Sequence, residues 1–216
     1  MKLSKLIYWH QGLFLQPQHL QYLDESIQSQ FLSAIQLKFS YPWGVSSLEI
    51  DKNSLDSGLF NCKKINILLR DGTFLNWPGN CELNARNFDN VLSNNKSLTI
   101  YIGIHRSANN NVTTYTSQNE LDTIYTRYVS QVSGEKYNDQ YQGENSVLIK
   151  ELSYAASIYF ETEIEDLNNV ELLPIALLVK KGSRIMFDID YIPPLLNISA
   201  SDVLNNLIDS LSSNLV

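Results

Sequence analysis

Apolar and polar residues alternate along several short stretches in the middle of the chain. The clearest stretch places Leu98, Ile100, Ile102 and Ile104 at every second position. Successive side chains of a β-strand point to opposite faces, so a period of two predicts a strand with one buried face. Because these strands follow one another without helical stripes between them, the pattern predicts a mainly β protein, an antiparallel β-sandwich.

Two stretches predict β-hairpins. In the first, the alternating Ile65, Ile67 and Leu69 are followed by Asp71-Gly72, which is typical of a tight turn. Phe74 and Trp77 then lie on the return strand, which Pro78-Gly79 ends.

The second predicted hairpin has an apolar run at 175–179, followed by Lys181-Gly182. The return strand is expected to bury alternate residues, namely Ile185, Phe187, Ile189 and Tyr191. Met186, Asp188 and Asp190 are expected on its opposite face. The polar region between these hairpins, residues 108–143, is compatible with short strands or with loops.

A helical period replaces the alternation near the N-terminus. Pro17 suits the first turn of a helix, where its missing N–H is not needed. Apolar residues then recur at helical spacing, at Leu20, Leu23, Ile27, Phe31, Ala34 and Ile35. The pattern predicts a long N-terminal helix from Pro17 to Lys38. Pro42 disfavours helical angles at Tyr41, so the helix is expected to end before it.

The last segment predicts a C-terminal helix. Pro193-Pro194 is expected to end the last strand, and the segment Ser199–Asp202 resembles a capping box. An apolar stripe follows, formed by Leu204, Leu207, Ile208, Leu211 and Leu215. A terminal helix of about 15 residues is marginal by itself, so this stripe needs a partner surface. Three partner surfaces fit this requirement: the chain's own sandwich, other copies of the chain, and chain beyond this sequence.

Composition excludes several classes of protein. The chain has 216 residues, of which 44% are hydrophobic, so a folded core is expected. Its net charge of −7 disfavours nucleic-acid binding. The N-terminus does not resemble a signal peptide, and no segment is apolar over the ~18 residues of a membrane span.

No motif for catalysis is evident. Cys62 and Cys81 are expected to be free buried thiols, and nothing in the sequence pairs either of them with His105 as a nucleophile and base. Asp188 and Asp190 have the spacing of a metal-binding pair but are expected on the solvent face of a strand. The acidic run Glu161, Glu163, Glu165 and Asp166 is expected to be a solvated loop or edge rather than a calcium or glycosidase site. The sequence predicts no enzyme, cofactor or metal.

One stretch is unusual for a folded surface. Between Lys5 and Asp24 the chain has no Lys, Arg, Asp or Glu, and aromatic residues and leucines lie among glutamines and histidines. The segment "YWHQGLFLQPQHLQ", Tyr8–Gln21, resembles the opening of the TssK family, the type VI secretion baseplate subunits. Further matches occur in the same order along the chain, at "YPWG" (Tyr41–Gly44), "LRDGTFLNWP" (Leu69–Pro78), "LLPIALL" (Leu172–Leu178) and "DIDYIPPLLNISAS" (Asp188–Ser201). Gln11 stands where the family often has an acidic residue.

The resemblance implies a β-sandwich shoulder like that of phage receptor-binding proteins, followed by a trimeric helical neck and a head. It implies four parts here: an arm (1–16), a helix (17–39), the shoulder (40–195) and the start of the neck (196–216). The head is expected to lie outside this sequence.

The resemblance also implies partners and a location. The family forms homotrimers, attaches through N-terminal regions to the TssF–TssG wedge, and reaches the membrane complex through the head. A cytoplasmic location at the inner-membrane-docked baseplate follows, without insertion into the membrane. An uncharged aromatic arm suits a subunit interface, and the expected interface residues are Trp9, His10, Leu13, Phe14, Leu15, Pro17 and His19. The neck stripe described above is expected to line the trimer axis.

A second hypothesis is a lectin-like, carbohydrate-binding sandwich of the phage receptor-binding type. Trp43, Trp77 and the many tyrosines are residues on which sugar rings can stack. Binding to a glycan array would distinguish it from a structural adaptor.

Overall fold

The computed structural model describes residues 5–92, 95–106, 112–115, 125–131, 134–141, 143, 145–182 and 184–213. The chain divides into two compact units, Met1–Pro42 and Trp43–Val216. The first unit contains an extended segment and one long helix. The second contains the strands and the C-terminal helix.

Strands dominate the described part of the second unit. Three helices are present in the described residues of the whole chain: α1 (Pro17–Lys38), α2 (Asp89–Leu92) and α3 (Asp202–Ser213). The strands are β1 (Gly44–Ile50), β2 (Leu59–Phe60), β3 (Cys62–Leu68), β4 (Phe74–Trp77), β5 (Cys81–Glu82), β6 (Arg86–Asn87), β7 (Ser97–His105), β8 (Val112–Tyr115), β9 (Tyr128–Gln131), β10 (Glu135–Asn138), β11 (Ser146–Ile149), β12 (Ser153–Ala155), β13 (Ser157–Phe160), β14 (Val170–Lys181) and β15 (Arg184–Phe187).

Two antiparallel sheets form the sandwich. One has the strand order β1-β3-β4 and the other has the order β13-β7-β14-β15. A single buried cluster combines Ile65 and Ile67 of the first sheet with Ile100, Ile102 and Leu173 of the second. Since alternate residues of both sheets meet in one core, the predicted mainly β fold with a helix near each end is confirmed.

The central strand β7 follows the predicted alternation. Leu98 is 1% exposed, and Ile100, Ile102 and Ile104 are fully buried. Its neighbour β14 contains Pro174, which has no N–H for a ladder bond. The register between β7 and β14 shifts between Pro174 and Ala176, and a bulge of this kind is where a sheet tolerates proline.

Both predicted hairpins are present. β3 pairs with β4 around Asp71-Gly72, and Gly72 adopts φ 88°, the left-handed region that glycine allows without strain. Thr73 N–H donates to Asp71 Oδ1 at 2.9 Å, which fixes the turn. β14 pairs with β15 around Gly182, whose φ is 67°.

The predicted burial of Ile189 is wrong. β15 ends at Phe187, and Ile189 is 78% exposed. Asp188 Oδ1 accepts a hydrogen bond from Asp190 N at 3.1 Å, so the chain turns where the sequence pattern continues to alternate. Asp188 still bonds to β14, because its N–H donates to Leu177 O, whereas Ile189 and Asp190 lie in the turn that follows. The two carboxylates therefore do not share one face of a strand.

Shorter sheets accompany the sandwich. β5, β12, β9 and β8 form a mixed sheet, in which β12–β5 and β8–β9 are parallel pairs. β10 and β11 form a separate two-stranded ribbon whose side chains are all exposed, and β2 pairs with β6. The described residues of the polar region 108–143 thus include three short strands, β8, β9 and β10.

After β15, the segment around Pro194 runs beside β1. Val45 N–H donates to Pro194 O at 2.8 Å, and Leu196 N–H donates to Val45 O at 2.9 Å. The predicted capping box at Ser199–Asp202 is wrong, because Ser199 lies within a 3-10 turn, Ile198–Ala200. Ser201 precedes α3 instead, and its Oγ accepts from Leu204 N at 3.4 Å.

Candidate interaction surfaces

The arm, residues 5–16, is extended and exposes most of its apolar side chains. Trp9, Phe14 and Leu15 are 50%, 79% and 55% exposed. A turn holds the centre of the arm, where Leu13 N–H donates to His10 O at 3.2 Å and Gly12 has φ 85°. Large exposed apolar side chains without charged neighbours are typical of a surface that a partner covers.

His19 joins the arm to α1. The ring atom Nδ1 of His19 accepts a hydrogen bond from Gln16 N at 3.1 Å. The backbone N–H of His19 donates to Gln16 O at 3.0 Å. Gln16 and His19 therefore cap the helix reciprocally, ahead of the proline predicted at its first position. The rings of Trp9 and His19 lie 6.4 Å apart, so this cap also carries part of the arm.

The apolar stripe of α1 is largely exposed. Leu20, Ile27 and Phe31 are 50%, 57% and 69% exposed, whereas Leu23 and Ile35 are half-buried. The buried residues of the helix are Ser26 and Leu32. The helix has the predicted bounds, but most of its apolar stripe is exposed instead of buried.

The stripe of α3 is also exposed. Leu207, Ile208 and Leu211 are 53%, 46% and 55% exposed, while Leu204 near the start of the helix is half-buried. Leu215 lies outside the described residues. Beyond its first turn, the described part of this helix does not dock its stripe on its own sandwich, so Leu207, Ile208 and Leu211 still require a partner.

The candidate chemical groups are used structurally. Burial raises the pKa of Cys62 and of Cys81 to about 12, so neither thiol ionises near neutral pH. Glu163 forms a bidentate pair with Arg86, with Oε1 at 2.5 Å from Nη2 and Oε2 at 2.8 Å from Nη1. Glu161 accepts from the N–H and Oγ1 of Thr99. The acidic run forms a 3-10 turn, Glu161–Asp166, in which Glu161, Glu165 and Asp166 are exposed to solvent, as the sequence predicts.

The two tryptophans proposed for sugar stacking pack against the core. The Arg70 guanidinium lies over the Trp43 ring at 4.2 Å from its centroid, so one face of that indole is already occupied. This arrangement does not favour carbohydrate binding at Trp43.

A family of known proteins matches residues 19–216. Its description is "Bacterial Type VI secretion, VC_A0110, EvfL, ImpJ, VasE". The chain belongs to this type VI secretion family.

The chain is also similar to a curated relative. The chain is 27% identical over 204 residues to the type VI secretion system baseplate component TssK1 of Pseudomonas aeruginosa PAO1. That alignment covers 93% of this chain and 44% of the relative, so the chain spans less than half the relative's length.

Two solved structures extend the comparison. A crystal structure of TssK superposes with a TM-score of 0.80 at 18% identity, over 96% of this chain and 46% of that one. A TssK–TssF–TssG baseplate subcomplex contains a chain that superposes with a TM-score of 0.76 at 20% identity, over 91% of this chain and 64% of that one. These structures share the strand-rich fold with a helix near each end.

The most deeply buried cation of the described residues carries no sequence signal. The Arg127 side chain is 7% exposed, and Nη2 lies 3.0 Å from Asp71 Oδ2. Nη2 also donates to Thr73 Oγ1, and Nη1 donates to His105 O at 2.9 Å. Nothing in the sequence brings residue 127 to the β3–β4 turn, because that contact spans 56 positions.

Within the described residues, no group of His, Cys, Asp and Glu is arranged to hold a metal ion. No helix among them is both long and apolar enough to cross a membrane.

Proposed function

We propose that the chain is a structural component of a type VI secretion baseplate and attaches through its arm to a TssF–TssG wedge. The observation that carries this proposal is the uncharged arm, in which at least half of the surface of Trp9, Phe14 and Leu15 is exposed. Aromatic side chains of this kind supply much of the binding energy of protein interfaces. The glutamines of the arm offer hydrogen bonds without the cost of desolvating a charge.

The family supports the choice of partner. A related TssK chain occurs in a solved complex with TssF and TssG. The arm, the helix, the shoulder (40–195) and the start of the neck (196–216) are proposed as four parts with separate roles. The arm is proposed to bind, the shoulder to present it, and the neck to assemble copies.

We expect the Trp9→Ala/Phe14→Ala variant to lose most capture by coexpressed TssF and TssG, because each truncated aromatic removes buried area at an interface centre. Its melting temperature should change little, because both side chains are exposed. Tyr141→Ala, which truncates a side chain that is 96% exposed on the second unit, is the matched control and should bind normally. Intact capture together with a large fall in melting temperature would instead make the arm an internal support.

The exposed stripe of α3 supports homotrimerisation through a helical neck. We infer that α3 begins a bundle that continues in proteins of the relatives' full length. Their further part is proposed to reach the membrane complex, which would hold the protein at the cytoplasmic side of the inner membrane. The proposed role involves no catalysis and no cofactor.

A further inference from the structure

At three of the four sheet edges of the sandwich, another part of the chain bonds to backbone groups that face away from the sheet. Beside β13, Arg86 Nη1 donates to Ile158 O at 2.8 Å. Beside β1, the segment at Pro194 bonds to Val45 on both its N–H and its C=O. Closed edges of this kind prevent unintended pairing with other strands.

The edge at β4 is closed by one side chain. Asn80 Nδ2 donates to Phe74 O at 2.8 Å, and Asn80 Oδ1 accepts from Asn76 N at the same distance. The amide of Asn80 thus takes the place of a neighbouring strand.

The edge at β15 is different. Asp188 N–H donates to Leu177 O at 2.8 Å, which sets the phase of the ladder to β14. Along an antiparallel strand, every second residue directs its N–H and C=O groups to the neighbouring strand. Arg184 and Met186, like Asp188, therefore direct theirs to β14, whereas Ile185 and Phe187 direct theirs away from it. No other described residue forms a backbone bond with Ile185 or Phe187.

The side chains of this strand separate by the same alternation. Ile185 and Phe187 pack against the core. Arg184 and Met186 lie on the outer face, where both are exposed, and Asp188 follows them two residues further. Arg184 forms no ion pair with a described residue. The outer face therefore reads cation, apolar side chain, anion along the strand.

We propose that β15 is an interaction surface for a second copy of this chain, which adds its own β15 antiparallel at this edge. Ile185 of one copy then lies opposite Phe187 of the other, and their free N–H and C=O groups form the new ladder. Met186 meets its counterpart on the two-fold axis, and Arg184 of each copy lies opposite Asp188 of the other.

Charge complementarity decides the occupant and its direction. In the antiparallel arrangement the strand is complementary to itself, and the two-fold axis makes each Arg184–Asp188 pair twice. A parallel arrangement would place Arg184 beside Arg184 and Asp188 beside Asp188, which is unfavourable. The contact is independent of the proposed neck trimer, because a two-fold contact joins chains of different trimers.

A cysteine on the two-fold axis tests the pairing. Met186 and its counterpart form a non-hydrogen-bonded pair, whose Cα atoms lie about 4.5 Å apart, within disulfide range. Mild oxidation of Met186→Cys should give a covalent dimer, whereas the buried native thiols stay inert. Lys181→Cys is the matched control, because Lys181 lies on β14 opposite Arg184 and its counterpart would be roughly 20 Å away. Equal cross-linking of both variants would overturn the proposal.

Charge reversal tests the register in the Met186→Cys background. Arg184→Asp alone and Asp188→Arg alone should each lower the dimer yield about tenfold, because each makes two like-charged pairs. Mixing the two variants should restore the yield, because each then supplies the charge that the other lacks. Asp188→Asn keeps the acceptor for Asp190 N and should lower the yield severalfold without disturbing the turn. Yields that ignore these charges, or a mixture that does not recover, would refute the register.

Discussion

At the residue scale, Arg127 is one of two charged residues that are buried in the described part of the chain, the other being Glu171. Its guanidinium links Asp71 and Thr73 of the β3–β4 turn to the carbonyl of His105 at the end of β7. Tyr154 adds a cation–π contact, with its ring centroid 5.5 Å from the guanidinium carbon. Removing one member of a buried ion pair leaves the other charge buried without a counter-ion. The loss in the free energy of unfolding therefore depends on which charge stays buried.

We expect Asp71→Asn to be more destabilising than Arg127→Met. The first leaves a guanidinium that is 7% exposed without a counter-ion, at a cost of about 3 kcal/mol. The second leaves a carboxylate whose side chain is 29% exposed and therefore partly hydrated, at a cost of about 2 kcal/mol. Urea unfolding measures both. Arg70→Met, beside the same turn, is the control and should cost less than about 1 kcal/mol.

The two buried thiols predict a loss of stability at high pH. In the unfolded chain they ionise near their ordinary pKa of 9.0, whereas burial in the fold raises the pKa of each to about 12. Their contribution is fully present below pH 9 and is lost as the pH rises from 9 towards 12, by about 1.4 kcal/mol per thiol and pH unit.

Urea unfolding between pH 8 and pH 10 checks this. Cys62→Ala/Cys81→Ala should show a shallower fall in the free energy of unfolding than the unchanged chain. Buried tyrosines titrate in the same direction in both proteins, so the difference between the slopes isolates the thiols. Equal slopes would contradict the assignment.

At the scale of elements, the closure of β1 depends on a close backbone contact. Gly44 has φ 139°, and a Cβ atom there would lie 2.7 Å from Pro194 O. The segment at Pro194 approaches β1 because position 44 has no side chain. This contact holds the chain at Pro194 and Leu196, ahead of α3.

We expect Gly44→Ala to lower the free energy of unfolding by about 2–3 kcal/mol, because backbone atoms cannot move aside cheaply. Gly182→Ala is the matched control. Gly182 also has a positive φ, 67°, but no atom lies within 4 Å of its added Cβ, so only backbone strain of about 1 kcal/mol is expected. Similar losses in both variants would show that the approach of Pro194 is not what constrains position 44.

At the scale of the whole molecule, two helical stripes and the arm lack cover. Leu207, Ile208 and Leu211 of α3 repeat at the spacing of a helix bundle. Burying one leucine contributes about 1.5–3 kcal/mol, but association of three chains costs entropy. The described helix has 12 residues, so the apolar contact that it can form with other copies is short.

We therefore expect this chain to be a monomer or a concentration-dependent oligomer, and a longer protein that continues the neck to be a stable homotrimer. Light scattering across a dilution series measures this. Leu207→Asp/Leu211→Asp should abolish the trimer and leave the melting temperature of the sandwich nearly unchanged, because both side chains are exposed. A longer protein that stays monomeric at micromolar concentration would refute the neck.

The elements with a clean period are predictable from the amino-acid sequence. The alternation at Ile100 and Ile102 specified a buried strand, and Asp71-Gly72 specified a turn, because these signals act between neighbours in the chain. The helix at Pro17–Lys38 was predicted with its observed bounds for the same reason. At the candidate site, the sequence singled out the arm because a run without charges is visible in one dimension.

Which faces are buried depends on contacts between segments that are far apart in the chain. Periodicity predicts that a stripe exists, but the cover comes from residues far along the chain, and Phe31 and Leu207 are exposed despite their pattern. The strand at Phe187 ends early because the Asp188 side chain bonds to the backbone, which alternation does not register. Arg127 lies beside Asp71 because folding brings together segments that are 56 positions apart in the chain.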